Sequence, residues 1–241
     1  MVETLDGRRR TYSCRCNSGC MYLVISIGVL AAFIIFALLV SPKLDIGFAR
    51  PLRDVDTKVF LHINKQHYAP LDQFMILITQ LGRELVWPIV IVVLFTFGGA
   101  KGKKAALIMM LAMIVLIPIG MLSKEIVARP RPFIPDTEVI LAADSQYAYP
   151  SGHSLIVVTG ATVSVAVLFR NSSWKMKAVS TALAVEASIV CFSRIYVGAH
   201  YPLDVLGGIL LGVGISLLFL SHISTIENLQ TRISRSLLSR R

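Results

Sequence analysis

Ser193-Arg194-Ile-Tyr-Val-Gly-Ala-His200-Tyr-Pro-Leu-Asp204 stands between two apolar runs, Met176 to Phe192 before it and Leu203 to Leu220 after it. Helical residues rise about 1.5 Å each, so runs of this length match a hydrocarbon core of roughly 30 Å. A segment carrying an arginine, a histidine and an aspartate is therefore expected at a membrane edge, with a span on each side. Upstream, Pro150-Ser151-Gly152-His153 opens another apolar run, Ser154 to Phe169. Two spans separate the two polar segments, so both must emerge on one face. In lipid every backbone polar group has to be satisfied within its own segment, which makes these spans helices.

The same reading extends toward the N-terminus. Met21 to Val40 is a run of apolar or small residues preceded by Arg8, Arg9, Arg10 and Arg15, the length and flank of an uncleaved first span. From Pro42 to Gln73 charges alternate with apolar residues, as in a helix lying along the membrane surface, and His62 and His67 read as interfacial residues, not metal ligands. Leu71 to Leu81 is too short to cross alone. A second span is expected from Leu85 to about Ala100, begun by Trp87-Pro88. Lys101, Lys103 and Lys104 then form a basic loop, and Ala105 to Ser123 makes a third span. The expected fold is all-α, a six-transmembrane-helix bundle with an interfacial helix after the first span. It divides into a cytoplasmic segment over 1–20, a membrane domain over 21–221 and a basic cytoplasmic tail over 222–241.

Composition agrees with a membrane domain, since 55% of the 241 residues are hydrophobic. A net charge of +10 would suit nucleic acid in a soluble protein. Here the bases divide between topology signals and the polar segments, so no nucleic-acid partner is expected. With the N-terminus inside, 14 of the 24 Lys and Arg fall in cytoplasmic segments: four at the N-terminus, three in each of two loops and four in the tail. The polar segments then converge on the extracytoplasmic face. Cys14, Cys16 and Cys20 lack a neighbouring histidine and fall short of a four-ligand zinc site; they read as reduced cytoplasmic thiols, with palmitoylation the alternative.

A third polar segment, Lys124-Glu-Ile-Val-Ala-Arg-Pro-Arg131-Pro132, follows the third span. Lys124 and Arg131 are seven apart, two turns of a continuing helix, and suit the non-bridging oxygens of a phosphate. Arg129 falls outside that spacing and reads as a snorkelling or topology cation. Arg194 adds a second guanidinium fork. Ser151 and Gly152 lie where a helix N-terminus offers free N–H groups to an anion. His153 stands beside them, able to give a proton to a leaving oxygen. His200 and Asp204 share a helix face if the last span has already begun, although Pro202 leaves that first turn open. A carboxylate on one ring nitrogen fixes the tautomer and leaves the other nitrogen as a nucleophile.

Lys-x6-Arg-Pro, Pro-Ser-Gly-His and Ser-Arg-x5-His-x3-Asp, in that order, resemble the signature of the type 2 phosphatidic acid phosphatase (PAP2) family. The resemblance runs from roughly Asp56 to Leu220, including the glycine-containing stretch Val205-Leu-Gly-Gly-Ile-Leu-Leu-Gly212. It implies a six-helix membrane bundle and a phosphatase that needs neither metal nor other cofactor and works through a phosphohistidine. Carried onto matching positions, it implies that His200 attacks phosphorus, Asp204 orients His200 and His153 protonates the departing oxygen. Lys124, Arg131, Ser151, Gly152 and Arg194 would hold the phosphoryl group. The implied partners are the bilayer and a lipid substrate, foremost a polyprenyl pyrophosphate of the undecaprenyl type. Phosphatidate or phosphatidylglycerophosphate is the alternative, and a transporter or scaffold of the same fold is the rival from another class. The oligomeric state stays open.

Overall fold

The structure, a computed structural model, describes residues 18–44, 47, 49–65, 67–81, 86–132, 146–169 and 172–223. The described residues form α1 (Ser18–Val40), α2 (Ala49–Ile63), α3 (Ala69–Leu81), α4 (Val86–Phe97), α5 (Gly99–Val127), α6 (Gly152–Ser164), α7 (Trp174–Tyr196) and α8 (Pro202–Ser221). A π-helical turn, Val165–Phe169, extends α6. The described residues contain no strand, only an isolated bridge between Pro130 and Tyr147. The all-helical expectation holds. Cys14, Cys16 and the tail expected over 222–241 lie outside the described residues, apart from 222 and 223.

Among the described residues five helices are long and apolar enough to cross a membrane: α1, α5, α6 with its π turn, α7 and α8. The expected second span is α4, whose 12 residues cover only about 18 Å. The basic loop expected at Lys101, Lys103 and Lys104 is also corrected, because these lysines lie in the first turns of α5. With 29 residues, about 43 Å, α5 outruns the hydrocarbon core, so its first turns can carry lysines whose stems reach toward water. Lys101 Nζ donates to Ser172 Oγ at 2.7 Å, which brings that end of α5 beside the connection from α6 to α7. The surface stretch after α1 is two helices, not one: α2 is strongly amphipathic, and α3 absorbs the short apolar run.

The centre of the bundle is a close packing of α8 against α6 and α1. Without a hydrophobic drive between helices in lipid, small residues that let backbones approach do this work. A Cβ at Gly208 would meet Ser151 O at 2.7 Å and Leu155 N at 3.1 Å, and one at Gly212 would meet Leu155 O at 2.8 Å. On the other side Ser26 Oγ of α1 donates to Gly214 O at 2.8 Å. Tyr149, just before α6, stacks on Phe33 of α1 and donates its hydroxyl to Phe33 O at 3.1 Å. These contacts pin the N-terminal ends of α6 and α8 side by side, and Ser151 N donates to Asp204 O at 2.9 Å.

Gly208→Val should therefore lower the thermal unfolding midpoint of the detergent-solubilised protein, by an overpacking cost of about 1–3 kcal/mol. Nothing lies within 4 Å of a Cβ at Gly28 on α1, so Gly28→Ala should leave the midpoint unchanged or slightly raised.

Candidate active site

The three polar segments meet where α5 ends and α6 and α8 begin. α5 stops at Val127, with Ala128 left-handed at φ 51° and its N–H on Lys124 O at 2.8 Å. The helix does not continue to Arg131, as the two-turn spacing supposed. Pro130 disfavours the helical region for the residue before it, so the chain leaves the helix ahead of Arg129. The extended stretch that follows is held by the bridge to Tyr147, and Ala148 N donates to Arg129 O at 2.8 Å.

Lys124 and Arg131 still arrive at the same place, by different routes. Lys124 Nζ donates to Tyr147 O at 3.1 Å, on the segment that leads into Ser151. Arg131 Nη1 donates to Ala199 O at 2.9 Å and lies 3.4 Å from His200 Nε2. Arg194, at the end of α7 and only 2% exposed, donates from Nη1 to Thr79 Oγ1 of α3 at 2.8 Å. Ser151 is the N-cap of α6, with Gly152 and His153 in its first turn, so the expected helix N-terminus is present. Ser154 Oγ donates to Ser151 Oγ at 3.0 Å.

α8 begins at Pro202, a residue suited to a first helical position. His200 thus precedes the helix, while Asp204 sits in its first turn and accepts from Tyr201 N at 2.9 Å through Oδ2. Asp204 Oδ2 stands 3.7 Å from His200 Nδ1, facing it but beyond hydrogen-bond length. The ring is 1% exposed, with Nε2 toward Arg131 and Nδ1 toward Asp204. Burial, and then Arg194, Arg131 and Lys124, push the His200 pKa well below the usual histidine value. Its neutral form is the one this pocket favours.

Arg129 corrects the sequence reading most sharply. It does not snorkel: it is 5% exposed and bridges two carboxylates, Asp204 Oδ1 at 2.7 Å through Nη1 and Asp56 Oδ2 at 2.5 Å through Nη2. The Tyr201 ring covers the guanidinium at 4.3 Å. Burial drives the Asp56 carboxyl above the ordinary carboxylate range, with Arg129 pulling it down. Asp56 and Thr79 were also missed, because both reach the site only through the folding of α2 and α3 against α7 and α8. No group of three His, Cys, Asp or Glu suited to a metal occurs among the described residues.

A model of the PAP2 superfamily matches residues 103–226, more than half of the chain. The chain belongs to that superfamily. It is 34% identical over 207 residues to an undecaprenyl-diphosphatase of Sulfolobus acidocaldarius, covering 85% of this chain and 89% of that protein. It is 32% identical to the undecaprenyl-diphosphatase BcrC of Bacillus subtilis, over 66% of this chain and 78% of the other. Among solved structures it resembles a transmembrane PAP2-type phosphatidylglycerolphosphate phosphatase from Bacillus subtilis. That likeness has a TM-score of 0.63 and 25% identity, over 84% of this chain and 96% of that one. As a PAP2 member with these relatives, the protein is a membrane phosphatase.

In the free PAP2 protein, His200 should take up its proton well under pH 6.5, as read by nitrogen-15 histidine NMR. Arg131→Gln removes a facing cation and should move that titration upward. A folded pKa below the unfolded value gives stability that is complete above about pH 6.5 and fades as pH falls toward the folded pKa. Acidification from about pH 7 to 5 should therefore lower the unfolding midpoint less in His200→Gln than in the wild type.

Proposed function

We propose that this phosphatase hydrolyses a polyprenyl pyrophosphate through a phosphohistidine on His200. The observation that carries the reading is the position of His200 Nε2, which faces Arg131 Nη1 at 3.4 Å while Asp204 stands behind Nδ1. A neutral nitrogen aimed at a cationic pocket suits attack on an anionic phosphorus. Nε2 forms the bond to the terminal phosphorus as the bond from phosphorus to the bridging oxygen breaks. His153 gives its proton to that oxygen. Water then attacks the phosphoenzyme with His153 as base, and the N–P bond breaks to return His200. Lys124, Arg131, Arg194, Ser151 and the Gly152 amide gather around the phosphoryl oxygens, where charge grows in the transition state. Asp204 moves into hydrogen-bond range as the ring becomes cationic.

The substrate class rests on the two diphosphatase relatives and on depth. Side chains at helix ends hold a phosphate at headgroup level and leave the lipid tail in the bilayer. The likeness to the phosphatidylglycerolphosphate phosphatase favours a second reading, a diacyl phosphate.

The protein crosses the membrane six times in this reading. α1 and α5 end together, with Ser41 Oγ donating to Val127 O at 3.1 Å, so the chain between them has to return before α5 begins. α4 lies on that return. The distribution of bases then favours cytoplasmic termini and an extracytoplasmic site.

His200→Ala should abolish turnover of farnesyl pyrophosphate. His153→Ala should still form phosphoenzyme on substrates with good leaving groups, trapped by rapid quench. Chelator should leave activity intact, and vanadate should inhibit. Turnover lost to EDTA and restored by magnesium would overturn the mechanism. Competing farnesyl pyrophosphate against a diacyl phosphate at equal surface concentration decides the substrate class by the ratio of kcat/KM.

A further inference from the structure

Asp56 lies on the amphipathic helix α2, far in sequence from every motif, yet it is 4% exposed at the wall of the site. Its two oxygens make different contacts. Oδ1 accepts from Leu203 N, in the first turn of α8, at 2.9 Å. Oδ2 accepts from Arg129 Nη2, whose other nitrogen donates to Asp204 Oδ1. Asp204 keeps its second oxygen for Tyr201 N and for the His200 side.

We propose that Asp56, acting through Arg129, is a positioning residue that keeps the negative charge of Asp204 available to His200 while the ring is phosphorylated. This rests on His200 being the nucleophile and Asp204 its partner, as assigned above.

Arg129 with Asp204 alone is a neutral pair, and the guanidinium would offset most of the field that Asp204 exerts on the ring. Asp56 takes up the other side of the guanidinium, and because both of its oxygens accept hydrogen bonds, from Arg129 and Leu203 N, it is held as a carboxylate against the upward push of burial; the three together then carry one net negative charge. His200 gains a positive charge when Nε2 bonds to phosphorus and Nδ1 keeps its proton. On the phosphate side the ring faces Lys124, Arg131 and Arg194, all of which disfavour that charge. Tyr149 and Tyr201 also interact with this cluster, and burial keeps both hydroxyls protonated past their ordinary range. The stabilising field therefore comes from Asp204, and its strength depends on what neutralises Arg129. In a site this buried, a unit charge one residue further away is weakly screened. Asp56 also fixes geometry, since its bond to Leu203 N holds the turn that carries Asp204.

The test uses the full chain in detergent micelles with farnesyl pyrophosphate. In Asp56→Asn the side-chain oxygen can still accept from Leu203 N, so the turn is kept while the charge is lost. We expect kcat to fall by about tenfold or more with KM within about twofold, the mark of an interaction realised in the transition state. We also expect the acid limb of kcat/KM to shift to lower pH, because removing a negative charge makes the His200 cation less favourable. Asp56→Glu, which keeps the charge, should recover a large part of kcat. An Asn variant with kcat within about twofold of wild type would overturn the inference. So would a fall in kcat with an unmoved acid limb and no recovery in Asp56→Glu, or a failure of both variants to yield folded protein, since each makes the cluster a structural clamp only. His200→Ala run in parallel separates the two levels. If it is inactive while Asp56→Asn behaves as wild type, only this inference fails; if it turns over, the phosphohistidine reading itself fails.

Discussion

A guanidinium buried between two carboxylates ties together segments that the chain keeps far apart. Arg129 follows α5, Asp204 opens α8 and Asp56 belongs to α2, and all three are at most 5% exposed. Removing one partner of such a buried ionic group leaves an uncompensated charge, at a cost of about 3–5 kcal/mol. The geometry of the site depends on this bridge in two ways. It fixes where the chain runs after α5, and hence where Arg131 points. It also holds the first turn of α8, and hence the distance between Asp204 and His200.

Around that bridge, helix packing in the bilayer aims the backbone. Gly208 and Gly212 let α8 approach α6 so closely that the starts of both helices lie side by side, with Ser151 N on Asp204 O. One helix start then offers N–H groups toward an anion, while the other carries the carboxylate that faces the histidine. Replacing either glycine would therefore act on the site as well as on the fold. α1 completes the arrangement from the other side, through Ser26 and Phe33, and so the first span supports the site without entering it.

The electrostatic design is a buried histidine, its neutral form favoured, set among fixed cations. Lys124, Arg131 and Arg194 are all held by backbone or side-chain oxygens, so they need little reorganisation when an anion arrives. These cations also resist charge on His200, and Asp204 stands on the other side of the ring to offset them. Thr79 contributes in the same way, since it holds Arg194 from the short helix α3.

The sequence by itself determined the greasy helices, the three polar segments and their meeting at one end of the bundle. Apolar length and the parity of spans are local quantities that lipid imposes on any chain. The residue types in Lys124, Arg131, Ser151, Gly152, His153, Arg194, His200 and Asp204 carry their chemistry openly, and the structure gathers the motif segments at one end of the bundle. Other features were not legible in this way. The shortness of α4 and the length of α5 depend on a turn at Gly98 and Gly99, where Gly99 takes a positive φ of 59° and a Cβ at Gly98 would run into Leu94 O. Arg129 looked like a surface cation because its partners lie at Asp56 and Asp204, and no spacing rule links residues so far apart in the chain. Only the tertiary structure decided that it is buried, because burying a charge is favourable solely where folding delivers opposite charges to it.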